Sequence, residues 1–82
     1  MTGMNVFKDK LVANRYFILL GVRKRHAEGI WVYFDDFLKT TKAVFQSDVR
    51  LDYFLPNGNL EYICDLDCAK MLYKAIQDML PN

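Results

Sequence analysis

The densest run of side chains able to do chemistry is Arg23-Lys24-Arg25-His26, three cations and an imidazole in consecutive positions. At a hairpin tip beside aromatic strands, such a run can grip phosphates while bases stack on Tyr or Trp rings. Arg23, Lys24, Arg25 and His26, with Lys39 and Lys42 following, therefore form a candidate surface for single-stranded nucleic acid. The plainer role of the same charge is to keep a sheet edge soluble. One catalytic scheme also uses these residues: a metal-free ribonuclease in which His26 or a tyrosine takes the proton and Arg23 or Arg25 faces the phosphate. Nothing else in the chain points to catalysis. Ser47 and His26 are the sole Ser and His and are far apart in sequence, and four scattered glycines make no phosphate loop. The expectation is a non-enzymatic protein.

Asp35 and Asp36 are adjacent carboxylates. A pair like this can hold a divalent ion for phosphoryl transfer, but that chemistry needs a further carboxylate on a neighbouring strand. A strand end followed by a cap explains the pair more simply. Cys64 and Cys68 flank Asp65, Leu66 and Asp67. Zinc requires four ligands, and only His26 could add an imidazole, so both thiols read as packing at a strand–helix junction. No metal and no cofactor is expected.

The chain has 82 residues, one small domain spanning residues 1–82, with 52% hydrophobic and 15% aromatic residues. Ordinary domains are about 45–50% apolar on a count that includes Gly. The surplus needs either an unusually aromatic core or an exposed interface. Net charge is +1 but uneven: residues 1–44 carry eight Lys/Arg against four Asp/Glu, and residues 45–82 carry three against six. The first ten residues contain no basic start leading into an apolar run, and Tyr16 to Val22 is too short to cross a bilayer. A cytoplasmic protein with reduced cysteines and no membrane partner is expected.

The elements that must position these groups follow from periodicity. Asn5 to Ala13 reads as an optional short helix capped by Asn5. Arg15 to Arg25 reads as a strand apolar on both faces: Tyr16, Ile18, Leu20 and Val22 on one, Phe17 and Leu19 on the other. His26-Ala27-Glu28-Gly29 reads as a turn into a second strand, Ile30 to Phe34. Asp35 to Ser47 reads as at most one helical turn or loop after Asp35 and then strand from about Lys42, because Ala43, Phe45, Ser47, Val49, Leu51, Tyr53 and Leu55 alternate unbroken; a helix is the alternative. Val49 to Leu55 and Leu60 to Cys64 flank Pro56-Asn57-Gly58-Asn59, a tight-hairpin signal. A final helix, capped by Asp65 or Asp67 and stopped by Pro81, would place Leu66, Ala69, Leu72, Tyr73, Ile76, Met79 and Leu80 on one face.

The predicted fold is α+β: a four-stranded antiparallel sheet from two hairpins with a C-terminal helix on one face (ββββα), or ββαββα if Asp35 to Ser47 is helical. One helix covers one face only. Phe17, Trp31, Tyr33 and Phe54 are therefore expected on an uncovered face as partner-contact residues, with Arg23 and Arg25 orienting the partner. The function expected from this is protein–protein interaction by a small adaptor, inhibitor or regulator, most economically with a second copy as a homodimer.

Overall fold

The computed structural model describes residues 5–35 and 40–65. They form a five-stranded antiparallel sheet, β1 (Asn5–Asp9), β2 (Arg15–Arg23), β3 (His26–Asp35), β4 (Thr40–Arg50) and β5 (Leu60–Asp65), in the spatial order β4-β3-β2-β1-β5. The doubly apolar strand β2 takes the middle place, where both faces can be sheltered. Phe17 and its neighbour Ile18 are both 0% exposed, on opposite sides of the sheet. Cross-strand register carries each face sideways. Val6 opposes Ile18, which opposes Ile30; Phe7 opposes Phe17, which opposes Trp31. One face thus collects Val6, Ile18, Ile30 and Val32, and the other Phe7, Phe17, Ala27, Val49 and Leu60.

The second face is covered by the chain's own crossing segment. β4 and β5 lie at opposite edges of the sheet, so residues 51–59 must traverse it. Four strand spacings come to about 19 Å, within reach of nine residues. A 3-10 turn, Leu51–Phe54, starts the crossing and sets Phe54 edge-on to Phe7, with ring centroids 4.8 Å apart and an interplanar angle of 77°, and 5.7 Å from Phe17. The Gly58 N–H then donates to the Leu55 carbonyl (2.7 Å), closing a β-turn with Pro56 in its second position. A side chain at Gly58 would collide with the Asp52 and Tyr53 carbonyls. The Lys10 N–H donates to the Asn59 carbonyl (2.8 Å) and ties the end of the crossing to the sheet.

These findings overturn the expected ββββα and ββαββα architectures. Asn5–Asp9 is a strand paired on both sides, with β2 and β5, and not a helical turn. The segment from Thr40 to Arg50 is strand, as the alternation from about Lys42 predicts, and the helical alternative falls. The Pro-Asn-Gly turn exists, but β5 pairs with β1 and not with β4, so no second hairpin forms. Among the described residues there is no α-helix; the predicted C-terminal helix lies outside them, apart from Asp65, which ends β5. The first hairpin turns at Lys24 and Arg25, between the paired Arg23 and His26, with Lys24 at φ 55°. His26-Ala27-Glu28-Gly29 is accordingly the start of β3.

Bulges account for two errors of face. The β2–β3 register slips between Leu19 and Gly21, and Val22 now pairs with Ala27 and lines a cleft with Phe7, Leu19 and Phe54. The β3–β4 register slips between Ala27 and Gly29, breaking the alternation expected from Ala43 onward.

Gly29 is set by packing. A β-carbon there would come within 2.5 Å of Phe17 Cζ and closer still to the Ile18 carbonyl oxygen. Gly29→Ala is expected to cost about 1–3 kcal/mol, seen as a lower urea midpoint. Gly21→Ala, whose β-carbon would meet only the end of Glu28 at 3.8 Å, should leave the midpoint nearly unchanged.

Candidate functional site

The most organised polar group lies where β1 turns into β2. Asp9 closes β1 with its side chain 1% exposed, and both its carboxylate oxygens are engaged. Oδ1 accepts the Leu11 N–H (2.8 Å) and the Val12 N–H (3.3 Å), an Asx-type turn that starts the connection. Asn14 closes that connection at φ 61°, which Asn tolerates well, and its carbonyl accepts the Phe34 N–H (3.0 Å). Oδ2 accepts Arg15 Nε at 2.6 Å and also meets Nη2 of the same guanidinium.

Arg15 is held in turn by β3. It pairs with Tyr33 in register, and its Nη1 donates to the Tyr33 hydroxyl (3.0 Å). Its guanidinium carbon lies 4.7 Å from the Trp31 ring centroid and 5.5 Å from that of Tyr33. Trp31 Nε1 donates to Gln46 Oε1 on β4 (2.7 Å), and Gln46 Nε2 donates to Asp48 Oδ1 (3.0 Å). A chain of polar contacts therefore runs across four strands, fixing two aromatic rings in place.

Burial by itself would raise the Asp9 pKa. Hydrogen bonds from Leu11, Arg15 and Val12, with the charge of Arg15, outweigh it and hold the carboxyl below its ordinary value. Burial likewise works against the Arg15 charge, but Tyr33 and Asp9 overcompensate and its pKa lies above the usual value.

Above this floor is an open groove of 330 Å³, walled by Val44 and Gln46 of β4 on one side and by Tyr53, Asn59 and Leu60 on the other. Its lining combines aromatic faces, two side-chain amides and an ion pair. Such a set suits holding a ligand, with rings for apolar groups and amides for a polar backbone.

Of the residues expected to touch a partner, Trp31 and Tyr33 are half-buried and line this groove. Phe17 lies beneath them, fully buried with its ring 4.8 Å from Trp31, and so presents no surface. Phe54 is half-buried in the same core, against Phe7 and Phe17. Arg23 and Arg25 are exposed at the β2–β3 tip with Lys24 and His26, away from the groove. Arg50 joins that tip opposite His26, though Asp52 holds it at 2.6 Å. Lys42 does not belong to the tip. It pairs with Tyr33, seven residues along β3 from His26, or about 23 Å. Lys39, Asp36 and Cys68 lie outside the described residues. Cys64 is half-buried against the Val6 face. Among the described residues no three His, Cys, Asp or Glu side chains come together where a metal could sit, and no helix is long and apolar enough to cross a membrane.

Sequence reasoning missed Asp9, Arg15, Gln46 and Tyr53. The available signal was opposite charge on either side of the Lys10–Asn14 connection, legible only once β1 is known to be a strand.

A lowered Asp9 pKa stabilises the fold fully above the unfolded carboxyl value of about 3.9, and the gain disappears as pH falls through the lower folded value. Asp9→Asn should cost about 2–4 kcal/mol at neutral pH by stranding Arg15. It should also flatten the fall of the urea midpoint below pH 4, whereas wild-type protein should lose stability steeply there.

No protein-family model, curated protein or solved structure matches this chain, so the groove must be read on its own geometry.

Proposed function

We propose that the protein is a non-enzymatic protein–protein interaction module, an adaptor, inhibitor or regulator, that takes an extended segment of its partner into the groove above Arg15. The observation that supports this is the fixing of Trp31 and Tyr33: both rings contact a guanidinium that is itself held by a buried carboxylate. Large aromatics already immobilised lose little entropy on binding, which is the property of residues that dominate interface energy. A groove of 330 Å³ accepts two or three side chains and not a broad globular surface. Gln46 and Asn59 on its walls offer hydrogen bonds to a peptide backbone. Apolar or proline side chains would lie on the Trp31, Tyr33 and Tyr53 rings. The free thiol of Cys64 fits a reducing, cytoplasmic setting.

A second reading uses the exposed Arg23-Lys24-Arg25-His26 tip to bind single-stranded nucleic acid. It is less well supported, because Trp31 is five residues along β3 from His26, about 17 Å from the cations that would hold the phosphates.

Peptide-display selection on the purified protein tests the main reading, with the single tryptophan as reporter. A selected peptide should shift Trp31 emission on titration. Trp31→Ala, followed by peptide fluorescence anisotropy, and Tyr33→Ala should each weaken binding by about tenfold or more. Arg23→Ala and Arg25→Ala should leave it unchanged. Peptides whose binding ignores both aromatic variants, or oligonucleotide binding that falls steeply with salt and with the tip variants, would reject the groove assignment.

A further inference from the structure

We infer that the partner segment taken by the groove is proline-rich, a stretch presenting carbonyl acceptors and no N–H donors where it meets the Trp31 and Tyr33 rings. This rests on the groove reading above and names the chemistry of its ligand. The groove floor has spent its acceptors and kept its donors. Asp9 Oδ1 accepts the Leu11 and Val12 N–H groups, while Oδ2 accepts Arg15 Nε and meets Nη2. Those contacts use up the lone pairs of the carboxylate. On the wall, Gln46 Oε1 already accepts Trp31 Nε1.

A guanidinium carries five N–H donors in a fixed fork. In Arg15, Nε and one Nη2 N–H face Asp9, and one Nη1 N–H goes to the Tyr33 hydroxyl. One N–H on each Nη is left without a partner among the described residues, on a side chain 26% exposed at the groove. The Tyr33 oxygen accepts from Arg15, so its own proton is available to donate. Gln46 Nε2 keeps a second N–H beside the one given to Asp48. An ordinary extended peptide brings one N–H per residue, and against this floor those groups lose water and find no acceptor. Proline has no N–H, and a polyproline II stretch leaves its carbonyls unpaired. Its rings dock on aromatic faces, and its stiffness lowers the entropy lost on binding. Asp9 neutralises Arg15, so the floor offers hydrogen bonds without net charge and suits a neutral carbonyl over a carboxylate.

Peptides from the display selection, resynthesised with acetylated and amidated ends and titrated against the full chain, test the inference. Those that depend on both rings should contain proline. Exchanging prolines one at a time for alanine, which restores an N–H, should weaken binding by about tenfold at the contact positions. N-methylalanine at the same positions lacks both the N–H and the ring, and should recover most of that loss. Tyr33→Phe keeps the aromatic ring and removes the donor; it should weaken binding by about threefold or more, with urea unfolding verifying the fold. Peptides that lose affinity on Trp31→Ala and Tyr33→Ala but lack proline would overturn the inference and leave the groove reading standing. So would alanine that binds as tightly as proline, N-methylalanine that binds no better than alanine, affinity that requires a free C-terminal carboxylate, or Tyr33→Phe protein that binds like wild type. Peptides indifferent to both aromatic variants reject the groove reading itself, and this inference with it.

Discussion

A strand apolar on both faces cannot lie at a sheet edge or on a surface with one side wet. β2 has this character, with Phe17 and Ile18 adjacent and both excluded from solvent, and the remaining architecture follows from it. Placing β2 in the centre requires two strands on each side, and the order β4-β3-β2-β1-β5 supplies them. It also requires cover. On the Phe17 face, cover comes from sending the chain from one sheet edge to the other, so that Phe54 of the crossing meets Phe7 and Phe17. A hairpin between β4 and β5 would have saved backbone entropy but left this face bare. Burial of aromatic area on a face that no other described element covers outweighs the cost of a longer connection.

The same constraint explains why some of the fold was legible and some was not. The double character of β2 and the alternation of β3 are visible in sequence because each side chain's face is set within its own strand. Val6-Phe7 was ambiguous: adjacent apolar residues fit one side of a helix or two buried faces of a strand, and period alone does not separate these. The β1–β5 pairing joins distant segments, while the local pattern around Pro56-Asn57-Gly58 suggests a hairpin more strongly than anything suggests the true partner. Gly29 misled in a related way. Its absent side chain makes room for Phe17, a tertiary reason, whereas the actual turn uses Lys24 at a positive φ that its residue type does not advertise. Bulges then reverse parity, which moved Val22 to the opposite face.

The groove was half legible for the same reason. Trp31 and Tyr33 alternate on one strand and can be assigned a common face from sequence. Arg15 and Asp9 join them only through the β1–β2 and β2–β3 registers together. An ion pair this sheltered contributes less to stability than its short contacts suggest, because removing both groups from water offsets much of the attraction. Its clearest consequence is orientation: Asp9 fixes the guanidinium plane, and that plane fixes two rings. A fully apolar replacement could match the stability without holding the rings in the same attitude.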